Sequence, residues 1–482
     1  MYVPDENPGR RTIVVDLDGT LIHSDLLVEN FFLFLRHYPL RVWEIFGWLL
    51  RGKAHLKQKL AEAVMPAADS LPYNATLLAW LAKQRQAGAR LILATASDSR
   101  LAQQVAQHLG IFDDVLATDA GNNLSGAVKC AALIARFGEK GYEYIGNSRA
   151  DLAVWKSAAV IHLVCPERGV LKAAGKLGVI GEHFAERPAY PQTLFKALRL
   201  HQWSKNVLIF VPLLASHRIF EWPLWRDGLI AFIAFGACAS SVYLLNDLLD
   251  LQDDRQHPSK RMRPLATGAL PIFHALLMIP TLLILAFALA LWLLPLAFLI
   301  ALACYYGITL AYSLRLKRVV MLDVVTLAML YTIRVISGAA AMGLEATFWI
   351  LAFCLFIFLS LAFVKRYTEL QVARREQRGG ESNGRGYFPA DFELLASLGG
   401  ASGYIAVLVL ALYINDATSG TLYRSPQWMW LACPLLLFWL GRVWLLAHRG
   451  QMPDDPIVFA LRDNVSRWTG VGFLIIFTLA SL

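Results

Sequence analysis

Hydrophobic and polar positions follow two different rhythms along the chain. Over residues 1–185, short apolar runs alternate with helix-length amphipathic stretches. The first run, 11–20 (RTIVVDLDGT), is β-branched and ends in acids, glycine and threonine, the pattern of a buried strand with chemistry at its C-terminal end. Further strands are predicted at 90–95 (RLILAT), 114–118 (DVLAT), 142–146 (YEYIG) and 160–165 (VIHLVC). Strands alternating with helices predict an α/β doubly wound parallel sheet whose site lies at the strand C-termini. Residues 25–85 keep a helical period rich in Leu, Trp and Phe, which reads as a small helical insert after the first strand.

From about residue 194 the apolar runs lengthen to membrane size, roughly 20 residues for about 30 Å of hydrocarbon. About nine are predicted, at 205–220, 228–250, 272–293, 295–313, 319–341, 347–365, 394–415, 428–446 and 467–482, the first and last being short. They predict an all-α membrane bundle. Two domains follow, 1–185 and 190–482.

Composition sharpens this division. Of 482 residues, 57% are hydrophobic and 17% charged, which excludes an ordinary soluble enzyme, for which roughly 25% charged residues is typical. Residues 1–185 hold 20 Lys/Arg and 18 Asp/Glu, and the longer remainder holds 25 and 18, so most of the net +9 belongs to the second part. Its cations cluster between apolar runs: Arg255, Lys260, Arg261 and Arg263; Arg315, Lys317 and Arg318; Arg366, Arg374, Arg375, Arg378 and Arg385. The opposite loops carry only Arg218, Arg226 and Arg424. This pattern is membrane topology, not nucleic-acid binding, and puts the N-terminal domain in the cytoplasm of an inner- or plasma-membrane protein. The polar start MYVPDENPGRR has no apolar signal core. Segment 374–386 (RREQRGGESNGRG) is expected to be a mobile cytoplasmic loop. The six cysteines have neither disulfide nor zinc spacing.

The first chemical constellation is Asp16-Leu-Asp18-Gly-Thr20. Two carboxylates two residues apart at a strand end can share one Mg²⁺, the first acting as nucleophile on a phosphoryl group and the second protonating the leaving oxygen. Thr95 can hold a phosphoryl oxygen, Lys129 can neutralise charge, and Asp151 in GNSRAD offers a further metal ligand. This set resembles the haloacid dehalogenase superfamily, and the insert at 25–85 resembles its small cap over low-molecular-weight phosphate esters. Where that superfamily usually has Gly-Asp before the distal acid, this chain has Asn147, which brings an amide oxygen but no charge. A phosphatase and a degenerate domain kept for regulation or assembly are the two readings.

The second constellation is Asn246-Asp247-Leu-Leu-Asp250-Leu-Gln-Asp253-Asp254 at the end of the second apolar run. On a helix, Asp247, Asp250 and Asp254 fall within a sector of roughly 60°. Three acids on one face repel unless cations join them, and Mg²⁺ with a diphosphate provides that. Lys260, Arg261 and Arg263 follow at once, either as topology anchors or to grip phosphate oxygens. NDxxDxxxD with this basic tail and about nine helices resembles the UbiA superfamily of intramembrane prenyltransferases, which implies Mg²⁺ on Asn246, Asp247, Asp250 and Asp254 and a lipid groove open to the bilayer.

Members that alkylate aromatic rings generally carry a second acidic motif. Here Asp323 has Leu327 where a second acid would fall. The segments YSLRLK with LDV, HPSKRMRP and QWSKN resemble the decaprenyl-phosphate phosphoribosyltransferase branch. That resemblance implies transfer of phosphoribose from phosphoribosyl diphosphate to a polyprenyl phosphate, with Lys205, Asn206, Tyr312, Lys317, Asp323 and Arg334 at the substrates. Arg334 lies roughly 16 Å along its helix from Asp323, a depth at which a charge faces a cavity or a partner. Prenyl transfer to a small acceptor beside a degenerate phosphatase is the alternative; a transporter would explain neither motif set. The expected partners are a polyprenyl lipid, a small phosphorylated co-substrate and the bilayer.

Overall fold

The computed structural model describes residues 10–119, 123–185, 190–257, 260–375, 386–416, 423–453 and 455–482. The chain forms two units that do not follow its order: 1–198 with 243–278, and 199–242 with 279–482. Most of the predicted segment 374–386 lies outside the described residues.

In the first unit, strands β1 (Thr12–Val15), β2 (Arg90–Asp98), β3 (Asp114–Thr118), β4 (Glu143–Gly146), β5 (Val160–Val164) and β6 (Val179–Phe184) form one parallel sheet in the order β3-β2-β1-β4-β5-β6. The switch between β1 and β4 puts the end of β1 at the crevice where doubly wound sheets bind ligands. β1 is fully buried on both faces, as expected for the centre of a parallel sheet. β6 has no counterpart among the predicted strands. It is an exposed edge whose run is broken by Gly181 and Glu182, so burial leaves almost no hydrophobic mark on it.

The insert after β1 comprises α1 (Leu26–His37), α2 (Val42–Leu50) and α3 (Lys53–Ala63). These pack around Phe34, Ile45, Leu56 and Leu60. Asp25 caps α1 by accepting from the Val28 amide at 3.1 Å. Helices α4 (Ala75–Gln86), α5 (Ser99–Leu109), α6 (Ala127–Phe137), α7 (Leu152–Trp155) and α8 (Val170–Ala174) alternate with the strands, and α9 (Tyr190–Ala197) follows.

The same unit takes in 243–278. There the return loop passes His23 so closely that a Cβ on Gly268, at φ +73°, would lie 2.3 Å from the His23 Cβ. Only glycine fits.

The second unit is helical, with α10 (Val211–Ala215), most of α11 (Trp222–Leu249), α14 (Leu296–Leu314), α15 (Leu322–Met342), α16 (Phe348–Arg375), α17 (Phe392–Ile414), α18 (Ala432–His448), α19 (Pro456–Arg462) and α20 (Asn464–Ser481). α12 (Leu251–Gln256) belongs to the first unit, and α13 (Ile272–Leu293) starts in the first unit and ends in the second. Among the described residues, seven helices are long and apolar enough to cross a membrane. The two short predicted spans differ. Residues 205–220 become a 3-10 helix, Leu200–Phe210, and α10, which begins Val211-Pro212. α20 opens on Asn464, Ser466 and Arg467, which dilutes its apolar character. The 3-10 helix lies so near α15 that a Cβ on Gly338 would fall 1.9 Å from the Ile209 carbonyl oxygen.

Candidate active sites

The loop after β1 turns both of its carboxylates into the crevice. Asp16 Oδ1 receives Lys129 Nζ at 2.7 Å, and the same ammonium donates to the Ala94 carbonyl and to the Tyr144 hydroxyl. Asp18 accepts from the Leu26 amide at 2.9 Å, from Ser97 Oγ at 2.7 Å and from Thr95 Oγ1 at 3.4 Å. Asp151 accepts from the amides of Asn147 and Ser148, from Ser148 Oγ and from the Tyr144 hydroxyl. Thus the residues predicted from separate stretches come together in two hydrogen-bonded clusters, Asp16–Lys129–Tyr144–Asp151 and Asp18–Thr95–Ser97, and Asp18 acts electrostatically on both Asp16 and Lys129.

Electrostatics follow from this burial. Desolvation pushes the Asp16 carboxyl up to about 7, against the pull of Lys129, and pushes Asp18 up to about 6, with help from Asp25. Burial works against the Lys129 ammonium, yet Asp16 and Asp151 together hold it above the ordinary lysine value. Asn147 Oδ1 is buried without a hydrogen-bond partner among the described residues. An orphaned acceptor beside crowded carboxylates suits a divalent cation.

The insert covers this site. Lys57 of α3 donates to the Ala96 carbonyl at 2.6 Å and to Asn123 Oδ1 at 3.2 Å, and burial lowers its pKa. It lines a cleft with Leu27, Asn30, Ser97, Asp98 and Leu101. Asn30 is 2% exposed and its Oδ1 has no partner among the described residues, so the cleft holds an unmet acceptor there.

The second acidic motif sits where α11 gives way to α12. Asp250 has φ −100° and ψ 16°, so one continuous helix does not run through the motif. Asp247 and Asp254 still converge, because Arg263 Nη1 bridges them, at 3.0 Å from Asp247 Oδ1 and in contact with Asp254 Oδ2. Both acids are nearly fully buried, and desolvation raises Asp254 to about 6 despite Arg263. A guanidinium therefore stands where two buried carboxylates require a cation. Asp250 lies 3.9 Å from Arg36 of α1, which also pairs with Asp253, and Arg255 grips Glu29 of α1 through both terminal nitrogens, at 3.0 and 2.7 Å. Asn246 and Lys260 are half-buried near the motif and Arg261 is exposed. Among the described residues no three Asp, Glu, His or Cys groups converge closely enough to hold a metal ion by themselves.

Three clusters organise the second unit. Lys205 is buried, pairs with Asp455 and lies 6.0 Å from the Tyr331 ring centroid. Arg334 donates to Asn206 Oδ1 and the Tyr305 hydroxyl, each at 3.2 Å, and to the Leu330 carbonyl; the rings of Phe235, Tyr305 and Tyr331 surround it at 5.1–5.4 Å. The Asn206 amide nitrogen is buried without a partner among the described residues. Asp323 is fully buried, pairs with Arg366 and accepts from the Tyr387 hydroxyl at 2.6 Å, and Arg366 also donates to Tyr312 at 3.0 Å. Lys317 lies on the short 3-10 helix Leu316–Arg318.

Two family models match the chain. The haloacid dehalogenase-like hydrolase model covers residues 13–156 and the UbiA prenyltransferase family model covers residues 207–468. The chain belongs to the UbiA prenyltransferase family. This UbiA protein carries an N-terminal haloacid dehalogenase-like domain and is an integral membrane enzyme. It is 36% identical to an uncharacterized protein of Sinorhizobium fredii over 97% of this chain and 90% of that one. It is 34% identical to nodulation protein NoeC of Azorhizobium caulinodans, over 57% of this chain and 88% of the relative. A decaprenyl-phosphate phosphoribosyltransferase of Mycolicibacterium smegmatis is 29% identical over 56% of this chain and 87% of its own.

Several residues of this UbiA protein's sites escaped the sequence. Arg366 reads there as one more topology arginine, yet it is buried on Asp323, 43 residues away. Asp455, Tyr305, Tyr387, Lys57 and Ser97 belong to no motif, and only the fold brings them to Lys205, Arg334, Asp323 and Asp18. Tyr144 lay within a predicted strand, and its hydroxyl joins Lys129 to Asp151.

Proposed function

We propose that the protein transfers phosphoribose from phosphoribosyl diphosphate to a polyprenyl phosphate, and that its N-terminal domain removes a phosphate from the lipid-linked product. The domain limits adopted for this reading are 1–185 and 190–482, with the N-terminal domain cytoplasmic. The observation that carries the transferase half is the buried Asp247–Asp254 pair held together by Arg263.

Asn246, Asp247, Asp250 and Asp254 would hold Mg²⁺, which when bound supplies positive charge to a departing diphosphate. Arg263 must then leave the carboxylates and, with Lys260 and Arg261, take phosphate oxygens. The bond from ribose C1 to diphosphate breaks, its electron pair leaving with diphosphate, and a lipid phosphate oxygen closes on C1. Lys205, Asn206, Tyr312, Lys317 and Arg334 are the candidates for the lipid phosphate and the sugar phosphate. Asp323 is already engaged by Arg366 and Tyr387, which supports phosphoribose over prenyl diphosphate as the donor.

In the N-terminal domain ionised Asp16 attacks phosphorus as the ester P–O bond breaks, Asp18, neutral below about 6, gives its proton to the leaving oxygen, and water then hydrolyses the acyl phosphate on Asp16, releasing inorganic phosphate and restoring the carboxylate. Lys129 and Thr95 hold the phosphoryl oxygens. Asp16, Asp18, Asn147 and Asp151 would hold Mg²⁺ there. Mass spectrometry of lipids from purified protein given Mg²⁺, phosphoribosyl diphosphate and polyprenyl phosphates should reveal a lipid-linked pentose phosphate in the Asp16→Asn variant and its dephosphorylated form in the wild type. Consumption of prenyl diphosphate instead would replace this reading with prenyl transfer.

A further inference from the structure

Helix α2 (Val42–Leu50) is apolar all round except for Glu44, which is paired with Arg41. One side is accounted for: Ile45, Val42 and Trp48 pack on Phe34, Leu56 and Leu60. The other side is not. Trp43 is 75% exposed, Phe46 61% and Leu50 90%, and Leu40, just before the helix, is 81% exposed. At about 100° per residue, Trp43, Phe46 and Leu50 occupy one sector of roughly 60°. Nine residues cannot span a bilayer, and a face this apolar is costly in water.

Cations flank the face. Arg41 precedes it and Arg51 and Lys53 follow it, all exposed, and Glu44 is the only acid in the helix. An apolar face with Trp at its edge and basic flanks is the composition that lies in a membrane interface among anionic headgroups. Among the described residues the chain carries seven membrane-length helices, so a bilayer is always tethered to this cap. The link to chemistry is short. Arg51 and Gly52 join α2 to α3, which carries Lys57 over the Asp16–Asp18 site.

We propose that Leu40, Trp43, Phe46 and Leu50 form a bilayer-contacting face through which the cap takes its phosphate ester directly from the membrane, so that the substrate of the N-terminal domain is a lipid-anchored phosphate. The substrate half rests on the phosphatase reading above; the contact half does not.

The test uses the full chain in nanodiscs of phosphatidylethanolamine and phosphatidylglycerol. p-Benzoylphenylalanine in place of Trp43, Phe46 or Leu50 is expected to give lipid adducts on irradiation, and in place of Glu44 far fewer. Equal labelling at all four positions, or adducts to a second protein chain, overturns the contact. Trp43→Glu with Phe46→Glu is then expected to slow phosphate release from farnesyl phosphate in the nanodisc by about tenfold, while release from soluble ribose 5-phosphate changes by less than about twofold. An equal loss on both substrates overturns lipid loading. If the wild type releases phosphate from neither, the phosphatase reading falls and takes lipid loading with it, while the adducts still decide the contact.

Discussion

Two acidic sites in this protein meet the same problem differently. Each buries a pair of carboxylates and sets one cation against them: Lys129 against Asp16, and Arg263 against Asp247 and Asp254. In the sheet domain the cation is fixed. Lys129 is 4% exposed and has two further acceptors, and Asp18 and Asp151 are tied by backbone and hydroxyl donors on strand ends. At the helix end Arg263 rides on a loop, with a quarter of its side chain exposed. A charge anchored by three bonds belongs to the frame, whereas one whose side-chain bonds among the described residues go to the acids it neutralises can be exchanged for a ligand.

The widest separation should come from the acids themselves. Asp247→Ala is expected to lower transfer by at least about a hundredfold with phosphate release retained, and Asp16→Asn to do the reverse, each losing a group on which its chemistry depends. Paired assays of both reactions on each purified variant check this. If either substitution removes both activities, the sites are not separable.

Next in size are the counter-charges. Lys129→Met leaves Asp16 buried without its cation and should cost about 3–5 kcal/mol of stability in thermal unfolding. Arg263→Gln keeps an amide donor beside its two buried carboxylates, and Arg263 itself is a quarter exposed, so a cation from solution can replace it; the change should cost less than about 2 kcal/mol and instead raise the diphosphate substrate's KM. Equal destabilisation by the two would erase the contrast between a fixed and an exchangeable cation.

The smallest expected effects lie in pH. Asp16 must be ionised to attack and Asp18 neutral to donate, so phosphate release from ribose 5-phosphate should be bell-shaped in pH, with its maximum between about 6 and about 7. Asp254 must be ionised to bind a cation, so transfer should rise through the same interval. Initial rates between pH 5 and 8 test whether phosphate release passes through a maximum while transfer only rises, each changing by roughly threefold to tenfold.

How much of this could be read from the sequence depends on whether a residue's partner is local. Asp16 and Asp18 end a β-branched run and Asp247, Asp250 and Asp254 share a helical spacing, so short-range pattern alone marked both acidic sets. The break at Asp250, between α11 and α12, was hidden because DLLDLQDD has no glycine or proline to announce it. Arg366 and Asp323 pair across 43 residues, and Lys205 and Asp455 across far more, so no window along the chain contains both charges. β6 escaped for the opposite reason: it is an exposed edge and carries little hydrophobic signal.

The tight passage of Gly268 beside His23, and the grip of Arg255 on Glu29, bear on how this gene can be taken apart. A cut near residue 190 looks clean on a domain map. It would leave the acidic motif without α1 and the turn on which its loop rests, and would take from Arg255 the Glu29 carboxylate it holds. The two halves are therefore not interchangeable cassettes. A transplant of the N-terminal portion onto another membrane transferase would need the 243–278 stretch to travel with it.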